Sequence, residues 1–389
     1  MTPSARISAA IELLDGVIAG GAAERLLTAW ARANRYAGSG DRAAIRDLVY
    51  DALRCRRSFG WLGGGDSGRG LMIGLIRARG DDPDVLFSGG RFAPMPLSEA
   101  EGGRPMADAP REVRRDCPDW LLPHFDAALG DTSDTVLDVM RHRAPVFLRV
   151  HLGRITRDGA IATLADEGID ATAHPLSPSA LEVTHNARRI AASSAYRDGL
   201  VELQDAASQA VVDLLPLAPD MRVLDYCAGG GGKLLAMAAR APAIFTAHDA
   251  EPRRMRDLPA RAQRAGLANV ALAAPGTPGG AFDLVLCDAP CSGSGAWRRA
   301  PQAKWDLTPD RLAQLVDIQA EILDHASALV ALDGVLAYAT CSLFARENHD
   351  QTRAFLARHS GWHCAGEHVF TPLDGGDGFY LALLARSQK

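Results

Sequence analysis

Lysine is nearly absent from this 389-residue chain, which holds only Lys233, Lys304 and Lys389. Arginine supplies almost all the remaining positive charge, and its planar fork suits phosphates and base edges. A genome-wide composition bias would leave the same trace. A dominant charge sign is also missing: 42 basic against 47 acidic residues give −5. No global field therefore draws the protein to a polyanion, and any such site must be local. No apolar run reaches the ~18 residues that span a bilayer. The N-terminal stretch meets Glu12 and Asp15 too early for a signal peptide, so cytoplasm is expected and no membrane partner. The seven cysteines (55, 117, 227, 287, 291, 341, 364) do not form a secreted disulfide framework. They remain available as ligands or nucleophiles. What is present is ordinary globular material, 47% hydrophobic and 23% charged. At ~150 residues per domain it makes two or three domains.

The pattern changes twice along the chain. The first ~60 residues place Ile7, Ile11, Leu14 and Ile18, then Ile45, Leu48, Val49 and Leu53, at helical spacing. Residues 63–110 are rich in Gly, Pro and Asp and read as loops around one short helix near 71–77, with helix again at 119–129. From Pro145, VFLRVHL and ALEVTH read as strands around a helix RDGAIATLADEG. From about 220, strands at 222–226, 243–248, 269–274, 282–288, 334–340 and 378–385 alternate with helices at 232–240, 253–265, 311–332 and 345–358. Such alternation implies a mainly parallel sheet covered on both faces, with ligands beyond the carboxyl ends of its strands.

Three motifs end strands of that sheet. The first runs Asp225-Tyr226-Cys227-Ala228-Gly229-Gly230-Gly231-Gly232-Lys233 and opens a helix. Its glycines let backbone N–H groups approach a ligand, and a helix N-terminus favours an anionic group. It is not a Walker loop, because Cys227 stands at the first glycine position and Leu234 where Ser or Thr is needed. Asp249, ending the next strand, suits a ribose hydroxyl pair. Arg254 is the member of the run Arg253, Arg254, Arg256, Arg261, Arg264 placed to reach the same ligand, the rest reading as a solvated helix face. The second motif is Asp288-Ala289-Pro290-Cys291-Ser292-Gly293-Ser294-Gly295, and the third is Thr340-Cys341-Ser342. Cys287 with Cys291 lacks the CxxC or histidine that would complete four ligands, so no metal is expected. Two thiols, an acid and a ligand loop converging on one crevice point to covalent thiolate chemistry. Lys233, Lys304, Arg298 or Arg299 are candidates to lower a thiol pKa there.

These motifs resemble those of the bacterial RsmB/Fmu/Sun family of RNA cytosine-5 methyltransferases. LDYCAGGGGKL is similar to its LDxCAAPGGKT. DAPCSGSG followed by RRAPQAKW matches its DAPCSGxG and RRxPxxKW. YATCS stands at 338–342, with Glu347-Asn348 and Gln351 as its ENxxQ. QDAASQ at 204–209 and Asp377-Gly378-Phe379-Tyr380 match flanking segments, and RDLVYDALR at 46–54 resembles a NusB-like RNA-binding domain. The resemblance implies a Rossmann-like class I methyltransferase domain with a seven-stranded sheet over 216–389. It places a small α+β subdomain at 136–215 and an all-α NusB-like domain with a loop-rich linker at 1–135. It implies S-adenosylmethionine as cofactor, lined by Cys227, Ala228, Gly229, Gly230, Gly231, Gly232 and Lys233, with Asp249, Arg254 and Asp288. It makes Cys341 the nucleophile on cytosine carbon 6, Cys291 the agent of product release, and Asp288 the partner of the ring nitrogen or exocyclic amine. The partner is then RNA, ribosomal RNA foremost, with its target base unstacked and flanking phosphates on Arg298, Arg299 and Lys304. A monomer is the default.

Three positions depart from the family: Gly229-Gly230 for Ala-Pro, Ala274-Pro275-Gly276 where an acid is usual, and Gln302 for Asp. The same chemistry on transfer RNA is one alternative. A non-catalytic RNA-binding assembly factor on a methyltransferase fold is another.

Overall fold

The computed structural model describes residues 1–387 apart from Pro275 and Thr277. It divides into two compact units: Met1–Arg143 with Trp297–Asp306, and Ala144–Ala296 with Leu307–Lys389.

The first unit is helical. Its longer helices are Pro3–Ile18, Ala23–Ala33, Ser39–Arg54, Arg56–Gly63 and Gly68–Ala78. The apolar spacing seen in sequence closes its core, where Leu14, Ile45, Val49 and Leu71 are fully buried. The helix at Gly68–Ala78 is longer than the 71–77 expected, because glycine spacing reads as a break. Here glycine is required by a close crossing. A Cβ on Gly74 would stand 1.8 Å from the Phe59 carbonyl oxygen, and one on Gly63 1.8 Å from that of Gly70. The propensity cost of about 1 kcal/mol per glycine is accepted because no other residue lets the two helices approach.

The second unit carries two sheets. The smaller has strands β1 (Val146–Val150), β2 (Asp170–Ala173), β3 (Ala180–His185) and β4 (Val201–Leu203) in the order β2-β3-β1-β4. Every pairing in it is antiparallel. The larger has β5 (Arg222–Asp225), β6 (Ile244–Ala247), β7 (Val270–Leu272), β8 (Phe282–Asp288), β9 (Val330–Thr340), β10 (Trp362–Phe370) and β11 (Phe379–Arg386). Their order is β10-β11-β9-β8-β5-β6-β7. Strands β5 to β9 run parallel to one another, and β11 inserts antiparallel between β9 and β10. This is the mostly parallel seven-stranded sheet of the Rossmann-like methyltransferase fold.

Both faces of the larger sheet are covered, so its strands alternate between two cores. Leu284 and Leu286 of β8 join Val223, Leu235 and Phe245 on one side. Val285 and Cys287 join Leu323, Tyr338 and Phe355 on the other. Cys287 is thus a core side chain. Strand β10 went unread in the sequence because most of it is exposed and His363, Glu367 and His368 interrupt its apolar residues. The helix expected at 253–265 is two pieces, Pro252–Met255 and Leu258–Ala265, broken before Pro259.

Candidate active site

The carboxyl ends of four neighbouring parallel strands lie level. Asp225 of β5 pairs with Ala247 of β6 and Leu286 of β8, and Asp288 of β8 pairs with Ala339 of β9. The loops that leave these ends carry all three sequence motifs, as the switch-point rule for open α/β sheets requires.

The glycine loop follows β5. Gly229 and Gly231 have φ of 51° and 78°, a left-handed conformation that glycine adopts without strain. The loop is held from outside: the Gly231 amide donates to the Ala228 carbonyl at 2.7 Å, and Arg261 donates to the Gly230 carbonyl. Arg261 also meets Glu202 of β4 at 3.5 Å, and Arg264 meets the same carboxylate at 2.6 Å. The reading of this arginine run as a solvated face holds for Arg256, 84% exposed, and fails for Arg261 and Arg264.

Asp249 is buried, and its carboxylate accepts from the amides of Gly229 and Glu251, each at 2.9 Å. Arg254 stands 3.5 Å from it on the exposed side. A Cβ on Gly229 would project between these two residues, 3.7 Å from Arg254 and 4.0 Å from Asp249. Those are ordinary contact distances, so a side chain there would line the cradle, and it is the positive φ that favours glycine. Lys233 is buried at the start of the helix Gly232–Ala238. Its ammonium donates to Asp288 at 2.7 Å and lies 4.6 Å from the centre of the Phe379 ring. Asp225, the last residue of β5, is 1% exposed, with an Oδ1 that no group among the described residues satisfies. Burial pushes its carboxyl up to about 8, with the Asp288 charge adding to the effect. Sequence reading assigned Asp225 no role; its place on the last residue of β5 was the available signal.

The two thiols meet. Cys291 Sγ and Cys341 Sγ are 3.4 Å apart, each partly exposed. The hydrogen bond to Cys341, burial and the neighbouring charges of Cys341 and Glu347 hold the Cys291 thiol well above the usual range. Burial likewise pushes Cys227 up.

Arg298 and Lys304 are not placed as sequence reading expected. They are 3% and 5% exposed. Lys304 donates to the backbone carbonyls of Asp116 at 2.5 Å and Arg54 at 3.2 Å, and burial lowers its pKa. The Arg298 carbonyl accepts from Arg54 at 2.7 Å. Both hold the segment Trp297–Asp306 inside the helical unit, Arg298 through its carbonyl and Lys304 through its ammonium, so the Lys304 charge is not presented to a phosphate or a thiol. Arg299 is exposed. Gln302, standing for the family's Asp, accepts from the Ala23 amide at 2.8 Å and donates to the Gly21 carbonyl at 3.1 Å. A carboxylate could not do the second. Of the expected acid near 274–276, Pro275 lies outside the described residues.

The fold and the crevice define a Rossmann-like methyltransferase. A family model described as 16S rRNA methyltransferase RsmB/F matches residues 212–384, and its associated ferredoxin-like domain matches 117–188. Ribosomal RNA small subunit methyltransferase B of Sodalis glossinidius is 35% identical over 73% of this chain and 69% of its own. The Xanthomonas campestris protein of that name is 34% identical over 69% of this chain and 66% of its own. This chain belongs to the RsmB/F methyltransferase family. Its alignment spans about two-thirds, 66%, of the length of several of these relatives. Among solved structures, PH0851 is similar over 99% of both chains at a TM-score of 0.78 and 21% identity. A methyltransferase homolog from Pyrococcus horikoshii is similar over 71% of this chain and 98% of its own, at 0.62 and 20%. Both likenesses concern the fold. No helix among the described residues is long and apolar enough to cross a membrane.

The family's cofactor is S-adenosylmethionine. The residues present fit it: a glycine-lined cradle beside a buried carboxylate, and an orphaned buried oxygen on Asp225. Asp249 and Arg254 would hold the ribose side, and the loop 227–233 the methionine side.

Proposed function

We propose that this protein methylates carbon 5 of a cytosine in RNA, ribosomal RNA foremost, through a covalent bond between Cys341 and carbon 6 of the base. The observation that carries the reading is the pair of sulfurs 3.4 Å apart, set at the carboxyl ends of β8 and β9 beside Asp288. A single nucleophile would explain one cysteine there. A reaction that must both form and release an adduct has work for two.

Cytosine carbon 5 is a weak nucleophile. Addition of the Cys341 sulfur to carbon 6 opens the 5,6 double bond and moves its electron pair toward carbon 5, which becomes enamine-like. Asp288, held in place by Lys233 at 2.7 Å, faces the ring nitrogen and exocyclic amine, where charge changes as the adduct forms. S-adenosylmethionine, when bound, supplies the electrophilic methyl group that carbon 5 takes. The carbon 5 proton then passes to solvent, and its electron pair re-forms the double bond as the Cys341–carbon 6 bond breaks and the sulfur leaves as thiolate. Cys291, kept protonated by its surroundings, is assigned to this release. The target base must be unstacked to enter.

Two variants test the assignment. Cys341→Ala should bind RNA and abolish methyl transfer, read as tritium incorporation from labelled cofactor. Cys291→Ala should accumulate an RNA–protein adduct, seen as a shifted band on a denaturing gel. Turnover retained without Cys341 rejects the covalent route. An adduct that forms only when Cys291 is present reverses the roles.

A further inference from the structure

We propose that Glu347 is a positioning residue whose buried carboxylate clamps the two cysteine loops together and so fixes the spacing of the Cys291 and Cys341 sulfurs; this rests on the covalent reading above.

Glu347 is fully buried in the short turn Ala345–Glu347. Its Oε1 accepts from the Ser292 amide at 2.8 Å and from Gln319 Nε2 at 3.0 Å. Its Oε2 accepts from the Ser292 and Ser342 hydroxyls, each at 2.5 Å. Both serines have their acceptor side occupied, Ser292 by the Ser294 amide at 3.3 Å and Ser342 by the Phe344 amide at 3.0 Å. Their protons are therefore directed at Glu347. Ser292 directly follows Cys291, and Ser342 directly follows Cys341. One carboxylate thus grips the residue after each thiol.

The residues before the thiols are gripped by the same cluster. Gln319 also donates to the Pro290 carbonyl at 3.0 Å. Asn348, next to Glu347, accepts from the Thr340 hydroxyl at 2.6 Å and donates to the Ser342 carbonyl at 2.9 Å. Ser294 ties across, 3.0 Å from the Ser342 hydroxyl and accepting from the Leu343 amide at 2.8 Å. A buried carboxylate is costly unless its oxygens are satisfied, and these four neutral donors satisfy it. The arrangement supplies more than stability, because the loop residues gripped by the side chains of Glu347, Gln319 and Asn348 each lie within one residue of a sulfur. The Glu347 charge also favours the neutral form of Cys291, which separates the states of two otherwise similar thiols.

The variant Glu347→Gln keeps the volume and puts an amide NH2 where two donors now point. Two readouts on the full-length protein decide the matter. Phenylarsine oxide bridges two thiols only when they are close, and it needs neither RNA nor cofactor. The wild type should bind it, Cys291→Ala should not, and E347Q should bind at least tenfold more weakly. In methyl transfer, E347Q should lose about a hundredfold in kcat, the scale expected for misplacement by about 1 Å. KM for RNA and cofactor affinity should be unchanged. Unchanged arsenical affinity in E347Q overturns the clamp whatever kcat does, as does a wild type that fails to bind the reagent. Should E347Q fail to fold, the double variant Ser292→Ala/Ser342→Ala is judged by the same two readouts. A wild type that binds the arsenical but never transfers methyl counts against the proposed reaction alone, and the clamp is then judged on the arsenical.

Discussion

Two neighbouring stretches of this chain, Asp288–Gly295 and Trp297–Asp306, each meet a buried lysine, and the structure uses the two lysines in opposite ways. Lys233 facing the first and Lys304 inside the second are about equally buried, 6% and 5% exposed. Lys233 faces a carboxylate at the mouth of a crevice. Lys304 is spent on two backbone carbonyls in a helical core, over the Trp305 ring at 4.6 Å. Around it Asp116, itself buried, accepts from Ser58 and Arg141, and burial pushes the thiols of Cys55 and Cys117 up to about 12. That is an environment for structure, with no group left poised for a ligand. A basic residue near a catalytic motif in sequence is therefore not a basic residue near the chemistry. What the ammonium faces decides its role.

The sharpest way to break the contrast is Lys304→Met. It leaves two buried carbonyls without their donor, and unfolding stability should fall by about 2–4 kcal/mol. RNA affinity measured below the unfolding transition should hold. A loss of RNA affinity at unchanged stability would restore the phosphate-binding role that the motif suggests. Lys233→Met should do the reverse. Transfer should slow by about tenfold to a hundredfold, equivalent to about 1.4–2.7 kcal/mol, while the melting temperature moves little, since Asp288 is exposed enough to be solvated. A variant that melts early instead would make Lys233 a second structural lysine.

A third test concerns Asp225. Its folded pKa of about 8 lies above the ordinary carboxylate value, so between about 4 and 8 the folded state binds more protons than the unfolded one. Stability should then fall as pH rises through that window, by up to about 1.4 kcal/mol per unit. Asp225→Asn should flatten that slope in the cofactor-free protein, most visibly in melting temperatures at pH 7 to 8 and not at pH 4. A parallel slope in the variant would mean that Asp225 ionises freely.

The alternation of strand and helix from 222 onward was legible because parallel strands buried on both faces are short apolar runs, and β8 was read to the residue. Strand β10 was not legible: its exposed length, with His363 and His368, carries no apolar run. The helix at Gly68–Ala78 was read short because tertiary contact between backbones overrode propensity. At the site, Asp288, Cys291, Cys341 and the glycine loop were visible as strand-terminal motifs. Asp225 was not, since an acid inside a strand reads as part of a motif with no task of its own. Glu347 was seen only as a motif letter, because its partners Ser292, Gln319 and Ser342 are 55, 28 and 5 residues away. Lys304 was misread for the complementary reason, as its carbonyl partners lie 250 and 188 residues upstream.

The detour of Trp297–Asp306 into the helical unit has a bearing on how the chain is made. Proteins emerge N-terminus first, and early domains ordinarily finish folding before later ones appear. Here the first body lacks its last helix, Pro301–Asp306, and its buried Trp297 until residue 306 has left the ribosome. By then four of the seven strands of the second body's larger sheet, β5 to β8, have been synthesised. The N-terminal piece must wait, unfinished, with Lys304's two carbonyls bare and a slot for two tryptophans open to water. Cutting the chain at Arg143 would make that wait permanent.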